Sequence, residues 1–365
     1  MEIRLFKMTN MKSPLLLVLI SALLTPAATA DVLSNSSEIE IEKSWSQQPN
    51  GWTYPMDIRV PSGEVPLGGF PVCILLHGNG GQGAGILQQF SNILPCHALV
   101  APSGYQTSWN ICSENSDAPD VEMVGDLVEI LQGYSNLNPN RIRILGTSNG
   151  SALANSVMIE NTNSGVDIIC AIVSQLNEPQ YHNGGFYRPS GETNPNSPNC
   201  GYNIPSIPAT GRKYLGIFND NDPIIPYGGG SSPVGVSFIN AQLATYLLAV
   251  SQGFDGDQIK GIGNPIGNPL VFEYSYLSDR VVHLRSNAGH GMNQTHMQYI
   301  QDFFQDCEEI NPCPGDFNED GFIDGADLGL LGAGWSTPAG DVNGDGNTDG
   351  ADLGILLTLW GPCQP

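Results

Sequence analysis

Ile142-Arg143-Ile144-Leu145-Gly146-Thr147-Ser148-Asn149-Gly150-Ser151-Ala152-Leu153 is the stretch on which the reading of the fold turns. Ile142 to Leu145 is a short β-type run that suits a buried strand. Ser151 to Ile159 is small and apolar and suits a helix. Between them, Gly146 and Gly150 permit a tight strand-to-helix turn, which would lift the Ser148 hydroxyl above a sheet. The N-terminus of the following helix would then lie beneath any negative charge developing on an attacked carbonyl.

A serine at its free pKa is a poor nucleophile and needs a base, and the base needs an orienting acid. With a strand–Ser–helix turn the expected chain order is serine, acid, histidine. Downstream, Tyr214 to Phe218 is a strand run that ends in Asn219-Asp220-Asn221-Asp222-Pro223, where two aspartates compete. Val281 to Leu284 leads into Asn287-Ala288-Gly289-His290-Gly291, which sets a loop histidine among glycines. His283 lies within the strand run and is expected to be packed. His296 falls in the last helix, and His97 and His182 carry no partner signal. Upstream, Val72 to Leu76 ends in His77-Gly78-Asn79-Gly80-Gly81. A Gly-rich loop after such a strand can turn a backbone N–H toward a tetrahedral oxygen, so the N–H groups of Asn79 and Asn149 are the expected oxyanion donors, with His77 holding the loop.

Further outward the pattern repeats. Strand runs at Ala98 to Ala101 and Ile168 to Val173 alternate with helical periods over Val121 to Leu131, Ala241 to Val250 and Thr295 to Phe304. That alternation predicts an α/β domain: a mostly parallel sheet with helices on both faces. Glu38 to Val60 reads as an antiparallel edge hairpin. Residues 175–212 are rich in Asn, Pro and Gly and show no period; a loop of that length is expected either to wall a pocket or to be a plain surface excursion.

The composition breaks near residue 309. From Cys313 to Cys363 there are nine acids and no Lys or Arg. Two segments repeat there, Asp316 to Asp327 and Asp341 to Asp352. Oxygen side chains stand at Asp316, Asn318, Asp320, Asp324 and Asp327, and again at Asp341, Asn343, Asp345, Asp349 and Asp352. Gly321 and Gly346 take the sixth position. This is the spacing of an EF-hand calcium loop with Asp at position 12, in which the carbonyls of Phe322 and Asn347 supply position 7. Each loop runs into an apolar stretch, Leu328 to Trp335 and Leu353 to Trp360. The unit is therefore one loop and one helix, used twice. Two calcium sites are expected, with folding that depends on the metal.

The whole chain of 365 residues carries 13 Lys+Arg against 36 Asp+Glu, a formal charge of −23. Nucleic acid is excluded as a partner, because phosphate binding needs clustered cations. Arg4, Lys7 and Lys12, then Leu15 to Leu24, then Ala28-Thr29-Ala30 read as a signal peptide over 1–30. The apolar core is too short to span a bilayer, so a secreted chain beginning at Asp31 is expected, with no transmembrane segment. Eight cysteines, all beyond the leader, suggest disulfides, and no C-x-x-C pair suggests zinc.

Leu75-Leu76-His77-Gly78, Ser108-Trp109-Asn110, Asp120-Val121, Asn138-Pro139-Asn140-Arg141, the Ser148 turn, Asp222-Pro223-Ile224-Ile225-Pro226-Tyr227 and Gly289-His290 together resemble the polyhydroxybutyrate depolymerase and feruloyl/acetylxylan esterase group of α/β-hydrolases. The resemblance spans about residues 40–305, within a domain taken as 31–308. It implies a Ser148–His290–Asp222 triad, with Asp222 preferred to Asp220 by the D-x-x-[VI]-P pattern. Asn219-Asp220 stands where that group often has His-Gly. Residues 313–363, within a segment 309–365, resemble a type I dockerin. That resemblance implies a small all-α calcium-binding domain with a cohesin-type partner and a surface-attached enzyme. Cys313 and Cys363 bracket this unit, and a disulfide between them is expected. The function implied is hydrolysis of acetyl or feruloyl esters of polysaccharide, or of a polyester, with no cofactor for catalysis. The alternative is a non-catalytic surface or assembly protein, in which the calcium module docks and the larger domain only binds.

Overall fold

The computed structural model describes residues 31–305, 313–318, 320–343 and 345–363. The leader expected over 1–30, Cys307 and the domain break at 308/309 lie outside the described residues.

Nine strands form one sheet: β1 (Met56–Arg59), β2 (Phe70–Leu76), β3 (Ala98–Pro102), β4 (Leu137–Thr147), β5 (Val166–Ile172), β6 (Lys213–Asn219), β7 (Asn264–Ile266), β8 (Val271–Tyr276) and β9 (Val281–Ser286). Their spatial order is β7-β8-β9-β6-β5-β4-β2-β3-β1. From β3 across to β9 every neighbouring pair is parallel. Antiparallel pairs close both edges, β1 on β3 and then β8 on β9 with β7 outside it. Every residue of β2 is buried. An apolar side chain gains about 1.5–3 kcal/mol from full burial, so a run apolar on both faces is driven to the sheet centre.

Alternate strand residues feed two separate cores. Val72, Ile74, Leu76, Ile142 and Ile144 pack with the inner faces of α2 (Asp120–Gln132), α3 (Asn149–Glu160) and α4 (Ala241–Ser251). Cys73, Leu75, Leu145, Leu215 and Ile217 pack with Ile86 and Phe90 of α1 (Gly83–Phe90) and with Ile300 and Phe304 of α5 (Gln294–Phe304). The period of two along each strand thus places helices on both faces, as expected. Arg143 is buried on β4 because its guanidinium finds His97 Nε2 at 2.5 Å, the Phe304 carbonyl and Asp167.

Two expectations change. The segment Glu38 to Val60 does hold an antiparallel hairpin, Glu42–Trp45 with Gln48–Thr53, but it forms a sheet of its own. The sheet edge is β1, after the hairpin. Residues 175–212 are not irregular. Tyr181–His182, Gly185–Pro189 and Tyr202–Ser206 make a three-stranded antiparallel sheet. A disulfide joins Cys200 to Cys112, with Cα atoms 5.3 Å apart. Around it pack Tyr202, Ile225, Val236 and Phe238, which brings the excursion against the chain just after Asp222. Strands of two to five residues interrupted by Gly and Pro leave no readable period.

In the tail, α6 (Gly325–Ala333) and α7 (Gly350–Thr358) follow the two repeats. Ile323, Leu331 and Leu356 share a separate apolar cluster with the Cys313–Cys363 disulfide. The tail is not purely helical: Phe322–Ile323 pairs antiparallel with Gly361–Pro362, joining the first loop to the C-terminal end of the described chain. No helix among the described residues is long and apolar enough to cross a membrane.

Candidate active site

Ser148 stands between β4 and α3 at φ +54°, ψ −117°. Its N–H donates to the Ile172 carbonyl of β5 at 2.8 Å, which fixes the turn to the sheet. The two flanking glycines are dictated by space. A Cβ on Gly146 would lie 2.0 Å from the Gly150 carbonyl oxygen, and one on Gly150 would lie 2.1 Å from that of Leu76. Backbone meets backbone at this corner, so no side chain fits.

The loops after β6 and β9 meet the serine. His290 Nε2 is 2.8 Å from Ser148 Oγ, and His290 Nδ1 is 2.7 Å from Asp222 Oδ2. With the Nδ1 proton donated to the carboxylate, Nε2 is left to accept from the serine hydroxyl; this tautomer follows from the network. Asp222 is itself held, its Oδ1 accepting the Ile224 N–H at 2.8 Å and the Ile225 N–H at 3.0 Å. Burial opposes its charge, yet the hydrogen bonds from His290, Ile225 and Ile224 outweigh it and hold the carboxyl below the usual aspartate value. Asp220 points elsewhere and receives Arg285 Nε at 2.8 Å. Of the two aspartates that compete in the sequence, Asp222 is the one that bonds His290.

The remaining histidines are accounted for by packing. His283 is wholly buried between Phe218 and Tyr274, and burial pushes it down to about 3. His296 completes a capping box with Asn293 at the start of α5, and burial pushes it to about 4. His182 stacks on Tyr187. His77 does hold its loop: it accepts the Gly104 N–H at Nε2 (3.0 Å) and donates from Nδ1 to the Gly78 carbonyl (2.8 Å). Burial keeps it below the usual histidine value, in keeping with a neutral ring.

Asn79 lies in the loop between β2 and α1. Asn149 is the first residue of α3, so its N–H has no intrahelical partner. The Asn149 side chain does something the motif did not announce. Its Oδ1 accepts the Trp109 N–H at 2.7 Å and its Nδ2 donates to the Trp109 carbonyl at 3.0 Å. Trp109 in turn donates its indole N–H to the His77 carbonyl at 2.7 Å. Glu114 takes the Ile111 and Cys112 N–H groups and the Asn149 amide. Asp120 takes the Asn110 N–H and the Tyr54 hydroxyl, and complete burial pushes it up to about 7. Segment 108–114 is thus braced from three sides against the serine turn. Ser108-Trp109-Asn110 and Asp120-Val121 were visible in the sequence, but nothing in their spacing revealed these contacts.

A groove of about 1060 Å³ runs past Trp45, Asn110, Asp120, Glu160, Arg188 and Tyr202, and no triad residue lines it.

The two tail loops repeat the same set of backbone-to-carboxylate bonds. Asp316 accepts from Asp320 and Gly321, as Asp341 does from Asp345 and Gly346. Asp327 accepts from Phe317, Asn318 and Asp324, as Asp352 does from Val342, Asn343 and Asp349. Asp324 and Asp349 cap the following helices. Gly321 at φ +87° and Gly346 at φ +90° occupy the turn where only glycine is at ease. Asn318 and Asn343, and the backbone carbonyls at Phe322 and Asn347, are further oxygen groups of the type calcium takes.

No family model and no curated protein matches this chain. Among solved structures it is similar to a carboxylesterase of Bacillus cereus, with 12% identity over 69% of this chain and 93% of that one, at a TM-score of 0.44. It is similar to an acetyl xylan esterase of Aspergillus awamori, with 12% identity over 68% and 93% at 0.45. It is also similar to a phospholipase/carboxylesterase of Dyadobacter fermentans, with 14% identity over 69% and 96% at 0.41.

Proposed function

We propose that the chain is a secreted serine carboxylic ester hydrolase of the α/β-hydrolase type. The observation that carries this reading is the unbroken line Ser148 Oγ–His290–Asp222, at 2.8 Å and 2.7 Å, set on a turn that holds the serine at positive φ. In the reaction, Ser148 Oγ attacks the ester carbonyl while His290 Nε2 takes its proton. The oxygen of the tetrahedral adduct faces the N–H groups of Asn79 and Asn149. Collapse breaks the C–O bond, and His290 returns the proton to the departing alcohol. Water, deprotonated by the same nitrogen, then releases the acid and restores Ser148. Proton transfer of this kind is worth about 10²–10⁴-fold in rate.

The substrates we assign are acetyl or feruloyl esters of polysaccharide, or a polyester, on the strength of the sequence resemblance over 40–305. The leader supports export, and the repeated loops support calcium binding at two sites in a dockerin-like module that attaches the enzyme to a cohesin-type partner. Calcium there would offset the mutual repulsion of the loop carboxylates. The test is Ser148→Ala assayed on p-nitrophenyl acetate. Turnover should vanish while circular dichroism stays native, and full turnover in the folded variant would end the proposal. A panel of acetylated, feruloylated and polyester substrates, with calcium present, then separates the substrate classes.

A further inference from the structure

We propose that Asn219 is a positioning residue whose carboxamide sets the catalytic base by gripping the loop on both sides of His290; the proposal rests on the catalytic reading of Ser148. Asn219 is the last residue of β6 and is buried. Its Nδ2 donates to the Gly289 carbonyl at 2.8 Å and to the Gly291 carbonyl at 2.9 Å. Both hydrogens of one amide are therefore used on the carbonyls of the two residues that flank the histidine. The orientation of the amide follows from chemistry, because the opposite flip would aim its oxygen at two carbonyls.

The grip is anchored in the sheet. Asn219 and Ser286 are register partners at the ends of the parallel strands β6 and β9. Asn219 Oδ1 accepts the Ser286 hydroxyl at 2.7 Å, and Ser286 Oγ accepts the Ala288 N–H at 3.1 Å. Asn221 adds a fourth tie, its Oδ1 accepting the Gly289 N–H at 2.8 Å. Between β9 and α5 the chain has no strand or helix, and Gly289 sits at φ +65°. Such a segment has no ladder of its own to fix it. Asp222 holds only the imidazole, whereas Asn219, Ser286 and Asn221 hold the backbone that carries it. A misplacement of about 1 Å at a reacting group costs about a hundredfold in rate.

Asn219→Asp keeps the shape and removes both donors, and Asn219→Ala removes the side chain. In the full-length chain on p-nitrophenyl acetate, each should lower kcat by about a hundredfold and leave KM within a few-fold. The downfield proton resonance of the His290 Nδ1–H bonded to Asp222 should broaden or disappear, a change that a purely structural role would not produce in a folded sample. Wild-type kcat with an unaltered resonance in a folded variant overturns the proposal. If neither variant folds, Asn221→Ala decides, because Asn221 is exposed: a smaller loss of kcat at constant KM supports the grip, and wild-type kcat overturns it. Should the wild type neither turn over ester nor take a fluorophosphonate at Ser148, the catalytic reading itself falls and takes this one with it. An active wild type with fully active variants removes this proposal alone.

Discussion

Ser148 holds a backbone conformation that costs a residue with a Cβ on the order of 1–3 kcal/mol, and it keeps that conformation because Gly146 and Gly150 let three chain segments meet at one corner. Substituting Gly150 should therefore harm more than the turn. Gly150→Ala places a methyl against the immovable Leu76 carbonyl, and a thermal melt should show a loss of about 1–3 kcal/mol, together with lower esterase activity; an unchanged melt would contradict the packing described. The two aspartates separate as cleanly. Asp222→Asn removes the acceptor that fixes the His290 tautomer and should lower kcat by about four orders of magnitude. Asp220→Asn, which loses only an exposed pairing with Arg285, should stay within a few-fold of wild type. Equal losses in steady-state kinetics would show that the acid has been misassigned.

At the scale of elements, the six parallel strands and α2 to α5 were legible, because burial on both faces writes unbroken apolar runs for strands and a 3.6 period for helices. The places of Ser148, Asp222 and His290 in the fold were legible for a related reason: each stands within four residues of the end of a buried strand run. What stayed hidden is side-chain-to-backbone bonding across long sequence gaps. Asn149 to Trp109 spans 40 residues and Asn219 to Gly289 spans 70, and neither leaves a periodic trace. The sheet within 175–212 was hidden because its strands are too short for alternation to show. Asp120 at the start of α2 offers a test at this scale. Its carboxyl titrates near 3.8 when unfolded and is pushed to about 7 when folded. The folded state therefore holds a proton that the unfolded state has released, and its contribution to stability declines as pH rises through that window. Denaturant melts of wild type and Asp120→Asn across this range should show the wild type losing stability relative to the variant as pH rises. Parallel curves would mean that the buried carboxyl is not perturbed.

For the whole molecule, the triad is carried by the large sheet, and the tail that bears the two proposed calcium loops has an apolar cluster of its own. If calcium stabilises residues 313–363, free ion at a hundred times its Kd adds about 2.7 kcal/mol to them. Chelation should lower one calorimetric transition and leave turnover of a small soluble ester untouched; a melting profile indifferent to the chelator would count against the metal sites. The esterase reading stands or falls on one side chain. The direct measurement is treatment of the intact, folded chain with a fluorophosphonate, followed by mass mapping of its peptides. The account predicts a single phosphonyl adduct on the peptide at Ser148, lost in His290→Ala. A folded wild-type sample that stays unlabelled at Ser148 would contradict it.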